Sequence, residues 1–162
     1  MYIFLDRIIM SRVDTLVLPL PNAHFIWYFA WLSVPSAIYA YTHTETTHFA
    51  LIPTAVWATS LLYWRNPVSD SWRRKFDMAV VSAGLTHHIC YSIITPGMDP
   101  FIRHTYLSLI GISTLFYVVS HYYLLYRHSY WSATYTHAMI HLVANIANFV
   151  LYYGINKSVM NM

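Results

Sequence analysis

Two histidines four residues apart, His137 and His141, open the last apolar stretch of the chain, residues 134–154. On a helix that spacing puts both imidazoles on one face, one turn apart. Two nitrogens so placed can close on a single metal ion, and polar groups in hydrocarbon need some such partner. Asn145 and Asn148 share the stretch, so hydrogen bonding to neighbouring helices is the alternative role for the pair. Ser60 and Asp77 are the other residues with chemistry to offer: a carboxylate can take a proton or a metal, and a hydroxyl can orient either. Asp77 has its own alternative, an interfacial ion pair with Arg73 or Arg74.

These residues must be positioned by membrane helices. Apolar residues make up 57% of the 162 positions and charged ones 9%, a composition far from that of soluble domains. The fold class expected is all-α, a polytopic transmembrane bundle of about five spans. Residues 1–21 mix apolar side chains with Asp6, Arg7, Arg12 and Asp14, which suits an interfacial segment better than a span or a signal peptide. The helical membrane domain covers residues 22–155, and residues 156–162 form a short tail. Within the domain the spans fall at residues 22–41, with a kink expected at Pro35, then 53–64, 78–94, 103–126 and 134–154. Residues 65–75 form a basic loop, and Pro96, Gly97 and Pro100 mark the turn after the third span. Cys90 is a lone cysteine, so no internal disulfide forms. With so few charges the small basic excess speaks to membrane orientation and not to nucleic acid.

Arg7, Arg12, Arg65, Arg73, Arg74, Lys75 and Arg127 fall on one side of these spans, against Arg103 and Lys157 on the other. That asymmetry predicts a cytoplasmic amino terminus and, after five crossings, a carboxyl terminus on the far side. Ser60 then ends the second span, Asp77 begins the third and His137 enters the fifth, all at similar depth on the cytoplasmic side. His87 and His88 lie a helical rise of about 15 Å beyond Asp77, in the middle or outer half of the membrane. His43, His48, His104 and His128 sit in or beside loops.

Ser60, then Asp77 after a basic loop, then a late histidine pair in a stretch ending at Tyr153 and Gly154 resembles the CREST-type superfamily of progestin and adiponectin receptors, haemolysin III proteins and alkaline ceramidases. In that family Ser-x-x-x-His closes the second span, Asp opens the third and His-x-x-x-His lies in the last. The resemblance implies a zinc-dependent, ceramidase-like hydrolase of lipid amides, acting on a membrane lipid. His137 and His141 would be zinc ligands, Asp77 would accept the proton of the attacking water, and Ser60 would hydrogen-bond the developing oxyanion. The family usually has seven spans and this chain five. Trp64 also stands where the family's third histidine would be. Since a catalytic zinc generally keeps three protein ligands, the third is expected from Asp77, or from His121 or His24 near the inner ends of the fourth and first spans. Two other functions stay open on the sequence: a non-catalytic, receptor-like or structural membrane protein, and a haem-binding electron carrier using His87 or His88.

Overall fold

In the computed structural model, which describes residues 16–160, the first apolar run divides into two helices, α1 (Leu20–Ala30) and α2 (Ser33–Thr42). Pro35 is the cause. It has no N–H to give the carbonyl four residues earlier and its ring crowds that carbonyl. The Trp31 carbonyl therefore takes its bond from Val34 (3.0 Å), and Trp31 and Leu32 likewise bond three residues back. The break thus lies one turn before the proline.

A 3-10 turn, Thr44–Ala50, leads into α3 (Leu51–Trp64), then α4 (Trp72–Ile94), α5 (Pro100–Leu125) and α6 (Tyr130–Met160). Local chemistry sets the ends. Ser71 caps α4 by accepting from the Arg74 N–H (3.3 Å), and Asp99 caps α5 through the Phe101 N–H (2.9 Å) with Pro100 in the first turn. Between α5 and α6, the left-handed His128 (φ 48) lets the Ser129 N–H reach back to the Tyr123 carbonyl at 3.0 Å.

α6 is the axis of the bundle, and α1–α2 runs alongside it in the same direction through polar contacts at three levels. Asn22 donates to Thr134 (3.0 Å). Asn145 accepts from Ser36 (2.7 Å) and donates to Ser33 (3.3 Å). Asn156 donates to Thr46 (3.4 Å). In hydrocarbon or in a dry core such bonds are how buried amides are tolerated. α5 runs against α6: Ser120 meets the Ala133 carbonyl (2.9 Å), and a Cβ at Gly154 would lie 2.7 Å from Ile102. α3 runs against α4 with an equally close crossing, Gly84 on Ile52. The five segments α1–α2, α3, α4, α5 and α6 therefore alternate in direction. Arg65, Arg73, Arg74, Lys75 and Arg127 gather at one end; Arg103 and Lys157 lie at the other, where Lys157 pairs with Asp99 (3.7 Å).

Two aromatic cores close the ends, one of Leu18, Ile26, Tyr63 and Trp64 at the basic end and one of Phe49, Tyr106, Leu151 and Tyr152 at the other. Of the five runs, α5 and α6 are long and apolar enough to cross a membrane by length and composition. α3 has only 14 residues, and α4 begins with Arg73, Arg74 and Lys75 and carries Asp77. The expected interfacial segment falls mostly on residues 1–15, outside the described part. Of its described remainder, Val17 donates to the Pro67 carbonyl (2.8 Å), tying the chain to the loop before α4.

Candidate functional site

Asp77 lies nearly two turns after the Ser71 cap of α4, and α3 ends against it. Both Ser60 Oγ and Thr59 Oγ1 donate to the same carboxylate oxygen, Oδ1, at 2.8 Å. Ser60 is 1% exposed and Asp77 8%, so water does little to solvate this group and the two hydroxyls take its place. Among the described residues no ion pair joins Asp77 to Arg73 or Arg74; Arg74 turns instead to the Ser69 carbonyl (2.9 Å). Ser60 and Asp77, 17 residues apart in sequence, are thus in direct contact. In this arrangement the Ser60 hydroxyl gives its hydrogen to the Asp77 carboxylate.

One turn beyond Ser60, Trp64 lays its indole edge-on against His137, ring centres 4.8 Å apart. The helix period explains this: residues 60 and 64 share a face, and that face looks at α6. His137 and His141 in turn have their ring centres 5.7 Å apart. Two imidazoles on one tetrahedral zinc would sit about 5 Å apart, given Zn–N bonds of about 2 Å. The pair is close to that arrangement. Among the described residues His141 Nε2 is moreover buried without a hydrogen-bond partner, the kind of orphaned donor or acceptor that a native structure leaves for a reason.

Ser60, Trp64, Asp77, His137 and His141 all line one cavity of about 430 Å³ between α3, α4, α5 and α6, along with His121, Arg74 and Asn148. Its size is that of sites that bury a small ligand. Apolar side chains such as Val56, Val81, Leu85 and Ile140 form most of its wall. His121 borders it but stacks on Tyr117 and bonds that residue's carbonyl through Nδ1 (3.0 Å). His24 is exposed on α1 and is not among the lining residues. His88 is buried at the far end of the same cavity, its Nε2 3.2 Å from the Tyr152 hydroxyl, whereas His87 is exposed.

The donor set fits zinc through two nitrogens, His137 and His141. Among the described residues no three of the His, Cys, Asp and Glu side chains gather into a metal-binding group, so the third ligand expected from Asp77, His121 or His24 is not in position beside the pair. Sequence reasoning missed Thr59, whose signal was its place next to Ser60; a hydroxyl one residue on is turned by about 100° and reaches the same carboxylate only because Asp77 sits between the two positions. It also missed Tyr63, which the cavity takes from the end of α3. Compared with family models, with curated proteins and with solved structures, the chain matches none.

Proposed function

We propose that this chain is a multi-pass membrane protein that hydrolyses a lipid amide in the cavity between α3 and α6, with zinc held by His137 and His141. The observation that carries the reading is the meeting of Ser60 and Asp77 on the wall of a cavity that the histidine pair also lines, with His141 Nε2 left unpartnered. The apolar wall suits an acyl chain, and the polar end suits its carbonyl. Membrane residence is supported by the outer surface of α5: only 11% of its apolar window is buried, and Phe101, Leu115, Val118 and Leu125 face outward. A water-soluble core helix would bury that stripe. The five alternating segments then serve as five spans, with the amino terminus and the arginine-rich end in the cytoplasm.

In the reaction a water oxygen adds to the amide carbon, the C–N bond breaks, and a fatty acid and an amine leave. Zinc, if held by His137 and His141, would supply Lewis acidity toward the carbonyl and a hydrolytic nucleophile at neutral pH. Asp77, held through Oδ1 by Thr59 and Ser60, takes the water's proton on Oδ2 and returns it to the departing nitrogen. The apolar wall keeps bulk water from the reacting carbonyl.

Trp64 against His137 favours a second reading, in which the same cavity holds a lipid without cutting it, because an indole is a donor only and ligates no metal. Zinc measured per chain separates the two. The hydrolase reading expects zinc in the wild type, its loss in His137→Ala and in His141→Ala, and tighter zinc binding in Trp64→His, which returns a third nitrogen to the face that already touches His137. A folded wild type that holds no zinc, with Trp64→His no better, would leave the lipid-holding reading.

A further inference from the structure

The cavity has polar groups at two ends, and only one end belongs to the proposed reaction. Along α4, Asp77 and His88 both line it, and along α6, His137 and Asn148 do. Each pair is separated by the same 11 residues on helices that run in the same direction, which puts the two ends about 16 Å apart at 1.5 Å per residue. The wall between them is apolar: Ile52, Val56, Val81, Leu85, Ile110 and Ile140. Of the polar side chains along it, Asn145 gives its hydrogens to Ser33 and the His141 carbonyl, Ser113 to the Ile140 carbonyl and Thr114 to the Ile110 carbonyl.

The far end is differently built. His88 is 3% exposed and Tyr152 0%. His88 Nε2 lies 3.2 Å from the Tyr152 hydroxyl, a contact that holds the ring in place from behind the cavity wall. Asn148 stands beside the ring and adds an amide that can both donate and accept. An unbranched hydrocarbon tail ending there would strip water from these groups and give nothing back.

We propose that the cavity selects a chain with a second polar group, a hydroxyl or similar, about 16 Å from its carbonyl, and that His88 and Asn148 on the cavity wall read that group while Tyr152 holds the His88 ring from behind. The inference rests on the reading that the cavity takes an acyl chain. An extended alkyl chain advances about 1.25 Å per carbon, from C–C bonds of about 1.5 Å at the tetrahedral angle, so the group sits at about the twelfth carbon. Arg74, on the cavity wall one turn before Asp77, faces the carboxylate end of the corresponding acid.

Calorimetric titration of the full-length protein in detergent with dodecanoate, ω-hydroxydodecanoate and ω-hydroxyhexanoate tests this. The ω-hydroxydodecanoate should bind about tenfold more tightly than dodecanoate, the worth of a hydrogen bond that otherwise leaves a buried group unpaired, and the short ω-hydroxyhexanoate should not share the gain. His88→Leu should bring the two long chains to similar affinity, and Tyr152→Phe should narrow the gap if His88→Leu does not fold. Equal or tighter binding of plain dodecanoate to the wild type overturns the inference and leaves the acyl-chain reading intact. No binding of any of the three overturns both.

Discussion

Asp77 shows how far residue-level reasoning reaches. A lone carboxylate in an apolar run has to be partnered, and the four-residue spacings of Ser60 with Trp64 and of His137 with His141 fix the faces on which partners lie. Those relations were readable, and Ser60 does bond Asp77 while Trp64 does touch His137. The choice among partners was not readable. His24 shares the depth of the site, but Asn22 and Ile26 occupy the buried face of α1, and two residues along a helix from either is the far side. The role of Ser60 also needed coordinates, since the direction of a hydroxyl is set by a rotamer and not by spacing. If Asp77 moves the proton, Asp77→Asn will keep bound zinc while hydrolysis falls roughly 10²–10⁴-fold. Zinc content and turnover measured on one preparation check this, and joint loss of both would place Asp77 among the ligands.

At the scale of elements, apolar runs bounded by proline, glycine and charge located the five helical segments, and what they missed has mechanical causes. The break between α1 and α2 precedes Pro35 because a proline disrupts the carbonyl four residues back, not its own position. The shortness of α3 comes from residues 44–50, which continue toward it as a 3-10 turn held by Thr46 and Thr47 on the His43 carbonyl. Close crossings were also invisible, since a glycine in a span reads the same whether or not a neighbour lies on it. Gly154 and Gly111 differ in that respect alone: a Cβ at the first meets Ile102 Cγ2 at 2.7 Å, and a Cβ at the second meets nothing within 4 Å. Gly154→Ala should therefore destabilise the bundle by about 1–3 kcal/mol, because Ile102 is branched and has to shift. Gly111→Ala should be neutral or slightly stabilising by helix propensity. Thermal unfolding in detergent compares them directly, and equal effects would mean that α5 and α6 do not cross at this distance.

For the molecule as a whole, charge and hydropathy foretold the arrangement better than composition foretold the crossings. Among the described residues, the basic residues of two separate connections, 65–75 and Arg127, gather at one end because the five segments alternate, and that order was implicit in their sequence positions. Whether each segment is a span depends on length and polarity, and α3 has only 14 residues while α4 carries Arg73, Arg74, Lys75 and Asp77. With five spans, a tag at the amino terminus and one in the loop at residues 65–71 will be reached from the cytoplasmic side of sealed membranes, and a carboxyl-terminal tag from the other. Both termini on one side would remove a crossing and with it the shared depth of Ser60, Asp77 and His137.

The central claim is that these residues form a hydrolytic site, and the release of fatty acid from a long-chain lipid amide by the purified protein tests it most directly. The account predicts release that stops on chelation, returns with added zinc, and is absent from His141→Ala under the same conditions. Wild-type protein that is folded and supplied with zinc, yet releases no fatty acid above the His141→Ala level, would contradict it.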